Sequence, residues 1–296
     1  MTPDTPRLKV IVIVGCSRSG STLLGSLLDQ PTGFLHVGEL HHLWKRCFGQ
    51  DWPCECGRAF SECDLWRDVT TRAFQQTGPP DVKRMRRLRR EAHKGNATAR
   101  REYASVLGRF LHAAADQADA RVIVDTSKNA AHAQCLLACE GLDVRPVHMA
   151  RHPLGVIHSM GRRRDMPGPG GARLPMQRMG SLQAMLHWRR EVLRAERLVT
   201  SNNGVTRRYD KLTTDPTGTM SELLADLDEP DVPLDFLDGH TATLQPGHSL
   251  SGNPMRHHGG AIEIRRDDKW EHAVSPWARR LVLLGTGRLR RRLGWA

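Results

Sequence analysis

The sequence predicts an α/β fold: one central, mostly parallel sheet with helices on both faces. Three observations lead there. Residues 9–28, KVIVIVGCSRSGSTLLGSLL, read as a buried strand, a Gly/Ser-rich loop and the opening turns of a helix. Residues 121–124, 144–149 and 205–210 are further short strand-like runs, with helical stretches between them. At 296 residues the chain can bury a full core, and an α/β domain of that size need not be divided, so one domain over residues 1–296 is expected.

The first strand is apolar throughout, as a parallel strand covered on both faces must be. Gly15 and Gly20 bracket Cys16, Ser17, Arg18 and Ser19, so the backbone can turn tightly and present several N–H groups to one point at a helix N-terminus. Such a turn is a phosphate site. Aligned on G-x-x-x-x-G-K-[ST], Gly15, Gly20 and Thr22 match, but Ser21 stands in place of the lysine. The expected fold is therefore P-loop-like and three-layered. The positive charge sits inside the loop as Arg18, which points to a phosphate-bearing donor other than a magnesium nucleoside triphosphate. A plain βα turn whose hydroxyl residues cap the helix is the structural alternative.

A second strand at 34–37 runs into VGELHHLW. Glu39 falls at the carboxyl end of the sheet, where open α/β folds place their ligands, and reads either as a general base or as a solvated loop carboxylate. His41 and His42 are the reserve candidates. Cys47, Cys54, Cys56 and Cys63 follow in a C-x6-C-x-C-x6-C spacing. A zinc set, a disulfide and free buried thiols all fit it, and the two CxxC hooks of a zinc ribbon are missing. Residues 43–120 read as a helical, cysteine-containing insertion, with a helix over 64–74, a Gly-Pro-Pro break at 78–80, and then a basic helical hairpin outside the sheet. The charge of that hairpin fits a solvated face; an acidic acceptor or peripheral contact with an anionic membrane is the sharper alternative.

The strand at 121–124 opens into DTSKN, where Asp125 superficially resembles a Walker B aspartate. Ser127 and Lys128 stand where the next helix begins. Lys128 would face the same ligand as Arg18, and positive charge there opposes the helix dipole. After the strand at 144–149, Arg151 closes the strand, Pro153 presets a first helical turn, and Ser159 lies two turns on, so that Arg151 and Ser159 can grip one phosphate if the backbone folds between them. Residues 166–179, containing PGPGGARLP, read as a flexible basic flap without regular structure, or as a mere surface loop. Together with the 43–120 insertion they would build the acceptor pocket. The helix at 181–200 carries Met185, Val192 and Val199 at heptad spacing with Trp188 beside them, a core-packing pattern. The basic, amphipathic C-terminus reads as a solvated helix end.

Lys and Arg outnumber Asp and Glu by 44 to 32, so polyanionic ligands fit the charge. Aromatic residues are 5% and no zinc-finger or RRM signature occurs, which argues against nucleic acid. Seven cysteines, an odd and unevenly spaced set, suit a reducing compartment better than a disulfide framework. No apolar run reaches bilayer length and MTPDTPRLKV lacks a signal-peptide core, so a cytoplasmic protein is expected.

Three segments in this order and spacing resemble the sulfotransferases that use 3′-phosphoadenosine 5′-phosphosulfate (PAPS). GCSRSGSTLL is similar to that family's 5′-phosphosulfate loop in its RSGST form, RHPLGVIHS to its 3′-phosphate motif, and VDTSK to the strand whose lysine faces the sulfuryl group. RYDKLTTDP is similar to RYEDL-x-x-x-P, which would put Tyr209 near the adenine. HSLSGNPMR, with His248, Gly252, Asn253 and Arg256, and DDKW with Trp270 resemble C-terminal signatures of bacterial members. The resemblance implies a donor site of Ser17, Arg18, Ser19, Gly20, Ser21, Thr22, Arg151, Ser159 and Tyr209, with no metal required and a small-molecule, carbohydrate or lipid alcohol as acceptor. The K-x-H pair and RKG triplet of the cytosolic phenol and steroid enzymes are absent. Glu39 resembles instead the glutamate base of the tyrosylprotein enzymes, acting with Arg18 and Lys128, and Arg256 is expected to close over the 3′-phosphate. A P-loop kinase using Mg·ATP and a noncatalytic polyanion-binding protein are the rival readings.

Overall fold

The computed structural model describes residues 7–257 and 259–295. Its centre is a five-stranded, wholly parallel sheet of β1 (Leu8–Val14), β2 (Phe34–Gly38), β3 (Val122–Lys128), β4 (Leu142–Ala150) and β5 (Val205–Arg208) in the order β2-β3-β1-β4-β5. The helices that matter below are α1 (Ser21–Leu28), α2 (Asp64–Phe74), α3 (Val82–His93), α4 (Ala97–Gln117), α5 (Ala130–Leu137), α6 (Pro153–Gly161), α7 (Ser181–Ser201), α8 (Tyr209–Thr214), α9 (Pro216–Asp226) and α10 (Pro276–Arg292).

The unbroken apolar run of β1 has a direct physical reading. Successive side chains point to opposite faces, and both faces are covered. Val10, Val12 and Val14 enter a core with Ile123, Tyr103 and Phe110 of α4, and Leu136 of α5. Ile11 and Ile13 enter a second core with Leu24 and Leu27 of α1 and Leu223 of α9. A third cluster, around Trp188, joins α6, α7 and α10 beyond the ends of the strands. The insertion is not a separate body: Trp44, Trp66 and Phe110 share the first core with the sheet, and α3 and α4 form the expected antiparallel pair over it.

Register fixes the site. The chain leaves β1 toward β2 on one side of the sheet and leaves β4 toward β5 on the other, so a crevice opens beyond the carboxyl ends of β1 and β4. That is where open α/β sheets bind ligands. Two local expectations change. Residues 165–175 are not irregular: Asp165–Pro167 pairs antiparallel with Arg173–Pro175, because Gly170 and Gly171 supply the left-handed turn between them. The fifth strand stops at Arg208, and Tyr209 begins a helix. Among the described residues no helix is long and apolar enough to cross a membrane.

Candidate active site

A cleft of about 710 Å³ occupies that crevice, and its walls contain Ser17, Arg18, Gly20, Ser21, Thr22, Glu39, Lys128, Arg151, Ser159 and Tyr209. Residues from the ends of all five strands thus meet at one place.

The floor is the loop between β1 and α1. Gly20 takes a left-handed conformation at φ 92° as the N-cap of α1, and no side chain caps the helix. The hydroxyl-cap alternative is therefore not realised. The first-turn N–H groups face the cleft, and the positive end of the helix dipole favours an anion there. A Cβ on Gly20 would lie 2.4 Å from Cδ2 of Tyr209, so glycine is required both by the backbone angle and by the close approach of that ring. The Ser19 hydroxyl is buried without a hydrogen-bond partner. Arg18 also sits at positive φ, 71°, and so does Lys128, at 62°. Non-glycine residues in this region carry strain of order 1–3 kcal/mol and cluster at functional sites.

Lys128 ends β3, and Asn129, not Lys128, caps α5 through His132 N–H. The Lys128 ammonium reaches across to form a short hydrogen-bonded ion pair with Oε1 of Glu39, and it also donates to the Thr126 carbonyl at 3.0 Å. The other Glu39 oxygen faces His42 Nε2 at 3.7 Å and Arg46 at 4.0 Å. Burial alone would raise the Glu39 carboxyl; the Lys128 ammonium, with Arg46 beyond it, outweighs that and holds the group below the usual carboxylate range. Burial, reinforced by Arg46 and Lys128, pushes His42 down to about 2, and burial with His42 beside it pushes His41 well below its usual value. Both imidazoles are thus neutral near pH 7.

Arg151, at the end of β4, is fixed from three sides. Its guanidinium donates to the Arg18 carbonyl at 3.0 Å and to Asp267 Oδ2 at 2.7 Å, and lies 4.3 Å over the Tyr209 ring. Trp188 Nε1 donates to its carbonyl at 3.0 Å. Arg18 in turn reaches Met176 Sδ, just past the 165–175 hairpin, at 3.1 Å, and burial with Arg164 nearby lowers its pKa. An incoming anion would meet Arg18, Lys128 and Arg151 already desolvated and aimed into one space.

Several expectations need correction. Arg256 does not reach the cleft: it is buried, and donates to the carbonyls of Ser249 at 2.5 Å and Pro53 at 2.8 Å, so it fastens a loop and is not available to a 3′-phosphate. Ser19 is buried within the loop and is not among the residues that line the cleft. Asp125 is fully buried, accepting from Ser127 N–H at 2.7 Å and pairing with His132 Nε2 at 2.8 Å, and so presents no carboxylate to a metal in the cleft. Cys47 stands apart from Cys54, Cys56 and Cys63. Other residues went unread in the sequence. Asp267 opens the DDKW segment, but nothing in that segment says that its carboxylate holds Arg151, and Arg46 had no local signal. The stripe His187, Arg190, Glu191 and Arg194 on α7 did: i, i+3, i+4, i+7 is one helical face, and it lines the cleft while Ala184, Met185, Trp188 and Val192 fill the core behind it.

Against this geometry, the sequence model described as the sulfotransferase family matches the chain over residues 10–233. No protein of curated function matches it in sequence. Among solved structures it is similar to a sulfotransferase domain from the curacin biosynthetic pathway, with TM-score 0.55 and 18% identity over 99% of each chain. It is also similar to a sulfotransferase domain from the olefin synthase of Synechococcus PCC 7002, with TM-score 0.50 and 18% identity over 100% of this chain and 98% of the other. At that identity the likeness is one of fold, the P-loop-like α/β fold. The family match spans both cation-bearing strand ends and the phosphate loop, and the chain belongs to the sulfotransferase family.

Proposed function

We propose that the protein moves a sulfuryl group from PAPS to the hydroxyl of a small alcohol acceptor. The observation that carries this reading is the Glu39–Lys128 pair at the edge of the α1 N-terminus, with Arg18 and Arg151 facing the same space. The donor supplies the sulfuryl group and an anionic leaving phosphate. Loop N–H groups, Arg18 and Lys128 would hold the 5′-phosphate, and Arg151 with Ser159 the 3′-phosphate, beside the Tyr209 ring. The acceptor oxygen bonds to sulfur as the bond from sulfur to the 5′-phosphate oxygen breaks. Glu39 takes the hydroxyl proton, and Lys128 and Arg18 offset the charge appearing on the leaving oxygen. Positioning and fixed charge supply most of the rate in such in-line transfers.

Met160, Met166, Met176, Met179 and Met255 also line the cleft. Adaptable thioether side chains suit an acceptor with an apolar body, such as a natural-product alcohol or a glycolipid. Phosphoryl transfer from Mg·ATP is disfavoured, since Ser21 replaces the loop lysine and Asp125 is sequestered by His132. On this reading the whole chain acts as one catalytic unit in the cytoplasm. The test is incubation of the protein with PAPS and a panel of alcohols, followed by chromatography of the nucleotide. Acceptor-dependent release of adenosine 3′,5′-bisphosphate (PAP), lost in Lys128→Ala, is expected. PAP release equal in both proteins would contradict the assignment.

A further inference from the structure

Where the insertion meets the C-terminal part of the chain, outside the residues that line the cleft, four potential ligands converge. The Sγ atoms of Cys54, Cys56 and Cys63 and Nδ1 of His248 all lie within 4.8 Å of one another. Cys56 Sγ is 3.7 Å from Cys63 Sγ, and His248 Nδ1 is 3.7 Å from Cys54 Sγ and 3.3 Å from Cys63 Sγ. A tetrahedral Zn²⁺ with Zn–S near 2.3 Å and Zn–N near 2.05 Å requires S···S edges of about 3.8 Å and S···N edges of about 3.6 Å. Three of the six edges, at 3.7, 3.7 and 3.3 Å, lie within about 0.3 Å of those values, and all six are under 4.8 Å. A disulfide would need two sulfurs at about 2.05 Å.

Second, the backbone around the cluster is held by its own hydrogen bonds. Cys54 N–H bonds to the Arg58 carbonyl and Gly57 N–H to the Cys54 carbonyl, which folds the Cys-Glu-Cys-Gly stretch into a tight turn. His248 is oriented through its own carbonyl, which accepts from Trp66 Nε1 at 2.7 Å. Cys54 and Cys63 are buried while Cys56 is exposed, which leaves an entry path.

We propose that Cys54, Cys56, Cys63 and His248 form a structural Zn²⁺ site. Three thiol protons are released on binding, and the four ligands close the coordination sphere, so the ion has no open position and takes no part in chemistry. Its work is mechanical. His248 opens the segment 248–257, and the same segment is bridged to the end of β2 and to the insertion: Leu250 pairs with Gly38 and with Cys54, and Glu39 N–H donates to the Leu250 carbonyl at 2.7 Å. A Cβ on Gly38 would meet the Leu250 backbone at 2.1 Å, so the contact is close-packed. The ion would pin the insertion to the C-terminal segment at the point where that segment holds the backbone of Glu39. This inference does not depend on the identity of the sulfuryl donor.

The test uses the full chain, purified under reducing conditions without chelator. Elemental analysis is expected to find one zinc per chain. Replacing the metal with Co²⁺ should give the visible bands of a tetrahedral, thiolate-ligated cobalt ion. Cys56→Ser, which changes an exposed side chain, and His248→Ala should each lose the zinc, His248→Cys should retain it, and Cys47→Ser should keep the full equivalent. Removing the metal with a chelator should lower Tm by several degrees, and added Zn²⁺ should restore it. If a reduced wild-type protein contains no zinc and takes up neither Zn²⁺ nor Co²⁺ on titration, the site does not exist. A mass two hydrogens short, assigned to Cys56–Cys63, with no metal uptake would likewise overturn it.

Discussion

Lys128 and Glu39, eighty-nine residues apart in the chain, form a nearly buried ion pair at the edge of the phosphate loop. The pair is what makes a glutamate usable there. A carboxyl buried in that wall without a cation would be protonated and could accept nothing; the Lys128 ammonium keeps it ionised. The same ammonium stands where a leaving phosphate would gather charge. Glu39→Gln is expected to lower kcat about a hundredfold or more, the usual share of a general base, with KM for the donor little changed. Steady-state kinetics with a responsive acceptor checks it, and unchanged turnover would pass the base role to His41 or His42.

The pair also sets a pH dependence. With the folded pKa of Glu39 depressed, the carboxylate stays charged as pH falls through its ordinary value of about 4.3, so the acid limb of kcat/KM should lie below that value. The stabilising effect of the pair is present above the unfolded pKa and is lost as pH falls through the folded one. In Lys128→Met burial dominates and the carboxyl pKa rises. The acid limb of whatever activity remains should move upward, and a limb in the same place would mean that Glu39 is not the titrating group.

Arg256 separates two roles that a sequence motif cannot. Its guanidinium satisfies the buried carbonyls of Ser249 and Pro53. Arg256→Met should therefore destabilise the fold by about 2 kcal/mol or more, since each orphaned buried acceptor costs roughly 1–3 kcal/mol. PAP affinity should stay within a few-fold of wild type. Thermal melts and a PAP titration on the same preparation measure both; a large loss of affinity with unchanged Tm would return Arg256 to the donor site.

Gly20→Ala offers a test of the loop. An alanine at φ 92° costs about 1–2 kcal/mol, and its Cβ drives into the Tyr209 ring. Both a lower Tm and at least a tenfold weaker PAP complex are expected, because Tyr209 supports Arg151 on its other face. A variant that binds PAP normally would show that the ring can move aside without consequence.

What the sequence revealed was largely local. The β1 run, the Gly15–Gly20 loop and the α2 span of Asp64–Phe74 were readable because apolar periodicity and turn residues act within a few positions. Arg18, Glu39, Lys128, Arg151 and Tyr209 meet at one cleft because parallel strands all deliver their carboxyl ends to one edge. Contacts across the chain were not readable. His248 meets Cys54 from 194 positions away, and Asp267 meets Arg151 from 116. Spacing alone leaves the four cysteines equivalent; Cys47 ends the wide helical turn at Leu43–Cys47 and is buried apart from the other three. The role expected of Arg256 rests on a resemblance of motifs, whereas the carbonyls it serves, on Ser249 and on Pro53 203 positions away, meet it only in the folded chain.

The most direct measurement is calorimetric titration of the wild-type protein and Arg151→Ala with PAP in the absence of Mg²⁺, and with Mg·ATP for comparison. The account predicts that the wild type binds PAP without a metal and more tightly than Mg·ATP. It predicts that Arg151→Ala weakens PAP by about ten- to a hundredfold, the worth of a charge-assisted phosphate contact of roughly 1.5–3 kcal/mol. Tight binding of Mg·ATP with no PAP complex, or PAP affinity indifferent to Arg151, would contradict it.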